Sequence, residues 1–151
     1  MPAVPSTSIA AMRALLHEHG ELPRPPADPR DVAGLRIRAA ALGGPLPAEY
    51  LDLLRDQNGG EVNGLRFFGT HPAPLAGAPH VTLPGLVEIN LDLREGGGLD
   101  EHIVLAQGST ALFTLHVPSG EFHELSVVPR DVIGVHGSFA SLMAAAVTAH
   151  H

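Results

Sequence analysis

Two histidines late in this chain have the spacing that comes nearest to chemistry. His116 and His123 flank Val117-Pro118-Ser119-Gly120, a turn sequence between two β-like runs. With Ser119-Gly120 at the turn centre, Val117 pairs with Phe122 and His116 sits opposite His123. Cross-strand Cβ atoms are then roughly 5 Å apart, close enough for two imidazoles to share one zinc ion. Glu121, on the face of His123, is a conceivable third ligand. Metal sites normally take three or four ligands, so the expectation from this pair is an ordinary solvent-facing couple and no metal.

Other constellations fall further short. QGSTA and HGSFA lack the glycine spacing of a hydrolase elbow, and a chain without cysteine has no Cys–His catalysis. Gly96-Gly97-Gly98 lacks the Lys and Ser/Thr of a phosphate-binding loop. Asp100, Glu101 and His102 form a polar cluster, but loop acids beside a strand are ordinarily just solvated. No set of nucleophile, base and oxyanion donor assembles, so the expectation is a non-enzyme without a cofactor. A small metal-dependent enzyme built on His116 and His123 remains the chemical alternative. The terminal His150-His151 reads as a frayed tail or a tag remnant and enters no functional argument.

The bulk properties narrow the field. At 151 residues the chain fits one domain, long enough to bury about two-thirds of its unfolded surface. Hydrophobic residues make up 44% and charged residues 17%, which supports a packed core rather than disorder. The absence of cysteine fits a reducing cytoplasm. The N-terminus does not read as a signal peptide, and no apolar run approaches the roughly 20 residues of a membrane span. The net charge is −7, from 16 acids against 9 basic residues, all arginine. That balance argues against nucleic acid as a direct partner, because nucleic-acid binding rests on phosphate neutralisation. It suits solubility, or steering toward a basic protein such as a nuclease.

The elements that must position these residues are legible in outline. Ile9, Met12 and Leu16 predict a first helix from Ser6 or Ser8 to His19, followed by the stiff connector LPRPPADP. Asp28-Pro29-Arg30-Asp31 is a helix start, with a capping acid and proline at the first position. Val32, Leu35, Ala39 and Leu42 form its stripe, and Gly43-Gly44 ends it. Leu65 to Gly69 reads as a strand, and the four prolines between His71 and Gly85 predict an irregular loop. VEINLDLR, Val87 to Arg94, alternates apolar and polar, the pattern of a half-buried strand. His102 to Ala106, Ala111 to Val117 and Glu121 to Leu125 predict a meander. Ser138 caps a last helix with Phe139, Leu142, Met143 and Ala146 inward.

The run LPAEYLDLLRDQNGG, Leu46 to Gly60, is the most specific stretch. Pro47 suits the first helical position, Glu49 suits the positive helix start, and Tyr50, Leu53 and Leu54 form one apolar stripe. Asn58-Gly59-Gly60 supplies residues that accept the left-handed conformation of a helix stop. The same run, with Leu46, Pro47, Tyr50, Asn58, Gly59 and Gly60 as its markers, resembles the core motif of the SUKH superfamily. That superfamily is named partly after a yeast regulator of cell-wall synthesis, and its bacterial members are mostly immunity proteins of polymorphic toxin systems. The likeness extends over roughly Pro25 to Ala149, with Leu42-Gly43 in the family's Leu-Gly position. It departs at Ala39, where members often carry an acid. It also implies a short helix over Val87 to Arg94 with Asn90 near its end, against the alternation; the helix is slightly preferred.

Together these readings predict a single α+β domain of the SUKH kind over residues 1–151. Residues 1–29 form its N-terminal helix and connector and 30–149 its core, with helices packed on an antiparallel twisted sheet. The resemblance implies a cytoplasmic, non-catalytic protein-binding domain, an immunity protein that neutralises a toxin domain. The alternative is a scaffold or regulatory interaction domain unrelated to toxins. Glu61, Asp92, Glu95, Asp100 and Glu101 are the expected partner-facing acids. No nucleic acid, membrane or metal is expected.

Overall fold

The computed structural model describes residues 26–150 apart from 63, 76 and 77. The helix expected over Ser6 to His19 lies outside the described residues. Helix α1 spans Pro29–Ala39 and starts as its sequence dictates: the Asp28 carboxylate accepts the Arg30 N–H at 2.8 Å. A 3₁₀ turn, Ala40–Leu42, closes on Gly43 at φ +116°. Helix α2 spans Ala48–Asp56, with Pro47 one position before the first helical residue, and buries Tyr50, Leu51, Leu53 and Leu54.

The helix stop differs from the expected one. Helix α2 ends at Asp56 on an extended Gln57, before the Asn-Gly-Gly run. Of the two glycines, Gly59 alone takes a left-handed conformation (φ +82°), and Gly60 already belongs to strand β1, Gly60–Val62. The glycine pair therefore bends the chain into the sheet rather than capping the helix. A Cβ on Gly59 would meet the Gly69 nitrogen at 2.8 Å, so this bend also requires glycine for space.

Strand β2 is Leu65–Phe67, and it is followed by a hairpin of β3, Ala73–Leu75, and β4, Ala78–Leu83. That hairpin corrects the irregular loop expected between His71 and Gly85. A two-stranded ribbon leaves an open edge along each strand, which is where proline is tolerated in a sheet. Helix α3 spans Leu86–Arg94. The alternation of VEINLDLR is overruled because Leu86 and Asn90 are buried and Ile89 and Leu93 pack against the core, an i, i+3, i+4, i+7 face.

The meander follows as β5, His102–Gln107, β6, Ala111–His116, and β7, Phe122–Ser126; then comes a strand the sequence did not announce, β8, Val132–His136. Helix α4, Phe139–His150, carries Phe139, Leu142, Met143 and Ala146 inward. Its first turn is held by the Ser138 hydroxyl, which accepts the Ser141 N–H at 3.1 Å. Six strands form one antiparallel sheet in the order β1-β2-β5-β6-β7-β8, making this an α+β protein. Among the described residues no helix is long and apolar enough to cross a membrane.

Two buried polar side chains join helices to sheet. The Tyr50 hydroxyl donates to the Phe68 carbonyl, and its ring meets Phe139 edge-on at 6.1 Å. Burial keeps that hydroxyl protonated far above the usual phenol range. Asn90 solves a different problem. Strand β2 pairs with β5 at Ala106 and Gln107, leaving the Val104 peptide without a strand neighbour on that side among the described residues. The Asn90 amide takes that place: its Nδ2 donates to the Val104 carbonyl at 2.9 Å, and its Oδ1 accepts the Val104 N–H at 2.7 Å.

Candidate functional site

Three strands bring three histidines together. His102 opens β5, His116 closes β6 and lies directly opposite it, and His123 sits on β7. The expected pairing of His116 with His123 is corrected by the length of the turn. His116 N–H donates to the Glu121 carbonyl at 2.8 Å and Gly120 N–H to the His116 carbonyl at 2.9 Å, so residues 117–120 form the loop. Leu115 consequently faces Phe122, and Thr114 faces His123. His116 and His123 remain on one face as diagonal neighbours, near enough for their rings to stack at 4.5 Å and 12°.

The third histidine arrives through an irregularity. Strand β5 carries a bulge between Val104 and Ala106. Continuing the Gln107–Leu112 register without it would set His102 opposite Val117; with it, His102 meets His116. The His102 Nε2 lies 3.1 Å from His123 Nδ1, and the His102 and His116 rings are 4.9 Å apart. One ring nitrogen from each of the three lies within 4.8 Å of the others, a spacing from which one ion can draw three ligands.

Hydroxyl and carboxylate groups surround these rings. His116 Nδ1 is 2.7 Å from the Ser119 hydroxyl, which also accepts the Glu121 N–H at 3.1 Å. Glu101 Oε1 stands 3.5 Å from His116 Nε2, and Glu121 Oε1 stands 3.9 Å from His123 Nε2. Thr114 Oγ1 donates to the His123 carbonyl at 2.9 Å, and Arg94 donates to the His102 carbonyl at 3.0 Å. Burial pushes His102 down to about 4, aided by repulsion from His116 and His123. Burial, then His116, likewise lowers His123. These two imidazoles are therefore neutral at pH 7 and keep a lone pair for hydrogen bonding or ligation.

The five acids expected to face a partner do not form one group. Glu61 on β1 is ion-paired with Arg66, opposite it on β2, beside the Gln107 end of β5. Asp92, Glu95, Asp100 and Glu101 lie on α3 and in the loop leading to the His102 end of that strand. All four are exposed, and Asp92, Glu95 and Asp100 form no salt bridge among the described residues. Their loop is anchored by Arg130, which donates to the carbonyls of Leu93 at 2.8 Å and Gly97 at 2.6 Å.

A surface that the sequence reading missed lies at the other border of the sheet. Strand β8 pairs with β7 and closes the strand order, and Val132, Ile133 and Val135 on it are 50%, 57% and 56% exposed. The motif residues serve the architecture. Leu46 and Tyr50 are buried, and Asn58 ties the glycine bend to the next loop, its Oδ1 accepting the Thr70 N–H at 2.9 Å and its Nδ2 donating to Thr70 Oγ1 at 3.1 Å. No protein-family model matches this chain, and no curated protein matches it.

Proposed function

We propose that this chain is a non-catalytic protein-binding domain of the SUKH kind, an immunity protein that neutralises a cognate toxin domain of a bacterial polymorphic toxin system. The observation that carries the reading is the open border of the sheet at β8, with three large apolar side chains at least half exposed. A strand edge of this composition, with no further strand paired to it among the described residues, is a template for pairing with another chain. The four exposed acids before β5 supply the field that would draw in a basic partner, such as a nuclease whose surface is built for phosphate. Occlusion of the toxin's cleft then requires no bond-making by this chain. The resemblance in Leu46–Gly60 supports the same reading, since most bacterial members of the family it resembles are immunity proteins; here Tyr50 ties α2 to the Phe68 carbonyl just after β2, and Asn58 ties the glycine bend to Thr70.

A specific interface of this kind buries about 1,600 Å² in total, with a few central residues carrying most of the energy. The test is co-purification with the product of the neighbouring gene, using the intact chain and an Ile133→Lys/Val135→Lys variant. The reading expects a complex that the variant loses. A complex with an unrelated host protein in its place would point to a scaffold or regulatory domain. No complex at all would defeat the immunity reading.

A further inference from the structure

We infer that His102, His116 and His123 form a binding site for one divalent transition-metal ion, with zinc the best match to the donor set. This goes beyond the partner-binding reading and stands independently of it. The argument is geometric. Zinc–nitrogen bonds of about 2.0–2.1 Å in a tetrahedron place their nitrogens ~3.3 Å apart. The His102 Nε2–His123 Nδ1 separation of 3.1 Å already matches that spacing. One ring nitrogen from each of the three histidines lies within 4.8 Å of the others, a gap that small side-chain adjustments can close.

The surrounding bonds select which nitrogens point inward. Ser119 occupies His116 Nδ1, leaving Nε2 as the nitrogen that can ligate. Glu121 lies nearest the Nε2 of His123, leaving its Nδ1 toward His102. A carboxylate or hydroxyl behind a ligating imidazole is the arrangement that orients metal-bound histidines and raises their basicity. Glu101, at 3.5 Å from His116 Nε2, is the side chain placed to become the fourth ligand, with water the alternative at that position. Three imidazoles and a carboxylate or water suit zinc, copper or nickel and not calcium or magnesium, which take oxygen sets. Each histidine comes from a different strand, so the ion would clip β5, β6 and β7 together on one face.

The experiment is titration of the chelator-treated full chain with zinc chloride alone, followed by calorimetry and by the ring ¹H–¹⁵N correlations of the histidines. The expected result is one equivalent bound at micromolar or lower zinc, with ring shifts at His102, His116 and His123. His102→Gln, His116→Gln and His123→Gln should each weaken binding by at least about tenfold. A His150→Ala/His151→Ala variant should bind as the unaltered chain does, which separates the cluster from the terminal pair. Should a glutamine variant lose its native circular dichroism, the ring shifts of the unaltered chain still decide. Absence of saturable binding at micromolar zinc, unmoved cluster resonances, or binding that survives all three substitutions overturns the inference.

Discussion

Replacing Asn90 with alanine isolates the contact that lets a helix border a sheet. Asn90 is buried, as is Val104, whose N–H and C=O both depend on the Asn90 amide at 2.7 and 2.9 Å. A third bond, from Nδ2 to the Leu86 carbonyl at 2.9 Å, lies within α3, where that carbonyl keeps its place in the helix ladder. The cost therefore comes mainly from two orphaned peptide groups, each worth roughly 1–3 kcal/mol when left unsatisfied away from water. Part of it is recovered if water enters the space, so the expected loss is about 3–5 kcal/mol. That is a large share of the 5–15 kcal/mol that typically holds a domain together. Urea unfolding followed by circular dichroism measures it as a lowered midpoint at unchanged slope. Asn90→Asp should cost nearly as much, because it keeps the acceptor but turns an anion toward the Val104 carbonyl. A loss below about 1 kcal/mol for Asn90→Ala, judged on the same scale, would refute the claim that this amide substitutes for a missing strand.

Three further outcomes follow from named contacts. Gly59→Val should lower the melting temperature sharply, because a β-branched residue at φ +82° also drives its Cβ to 2.8 Å from the Gly69 nitrogen; unchanged thermal stability would contradict the bend assigned there. Tyr50→Phe should cost roughly 1–2 kcal/mol in denaturant unfolding by leaving the Phe68 carbonyl unpaired; no measurable change would remove that hydrogen bond from the account. Reversing Glu95, Asp100 and Glu101 together should slow association with a basic partner about tenfold or more in stopped-flow and flatten its salt dependence; an unaffected on-rate would make those acids a solubility device.

What the sequence made legible is what depends on local chemistry. Asp28 and Ser138 announced their helices because a capping side chain acts within three residues of itself. Tyr50, Leu53 and Leu54 announced their buried face through spacing alone. Helix α3 was ambiguous because Asn90 counts as outward-facing in a strand pattern, although its burial answers a need created by Val104, fourteen residues later. Strand β8 escaped notice because Gly134 interrupts a five-residue run with no buried face to impose alternation. The histidine cluster was half visible. His116 and His123 follow from a hairpin, but His102 joins them only through the bulge in β5, for which no residue in that strand gives a sign. The expected acidic group was split because sheet order, not sequence distance, places Glu61 at the far end of β5.

Amide hydrogen exchange of this chain, alone and with the product of the neighbouring gene, tests the proposed function most directly. Partner binding at the open sheet border predicts slowed exchange over Val132–His136, accompanied by loss of toxin activity at one equivalent. Exchange that is unchanged in β8 while the toxin stays active would contradict it.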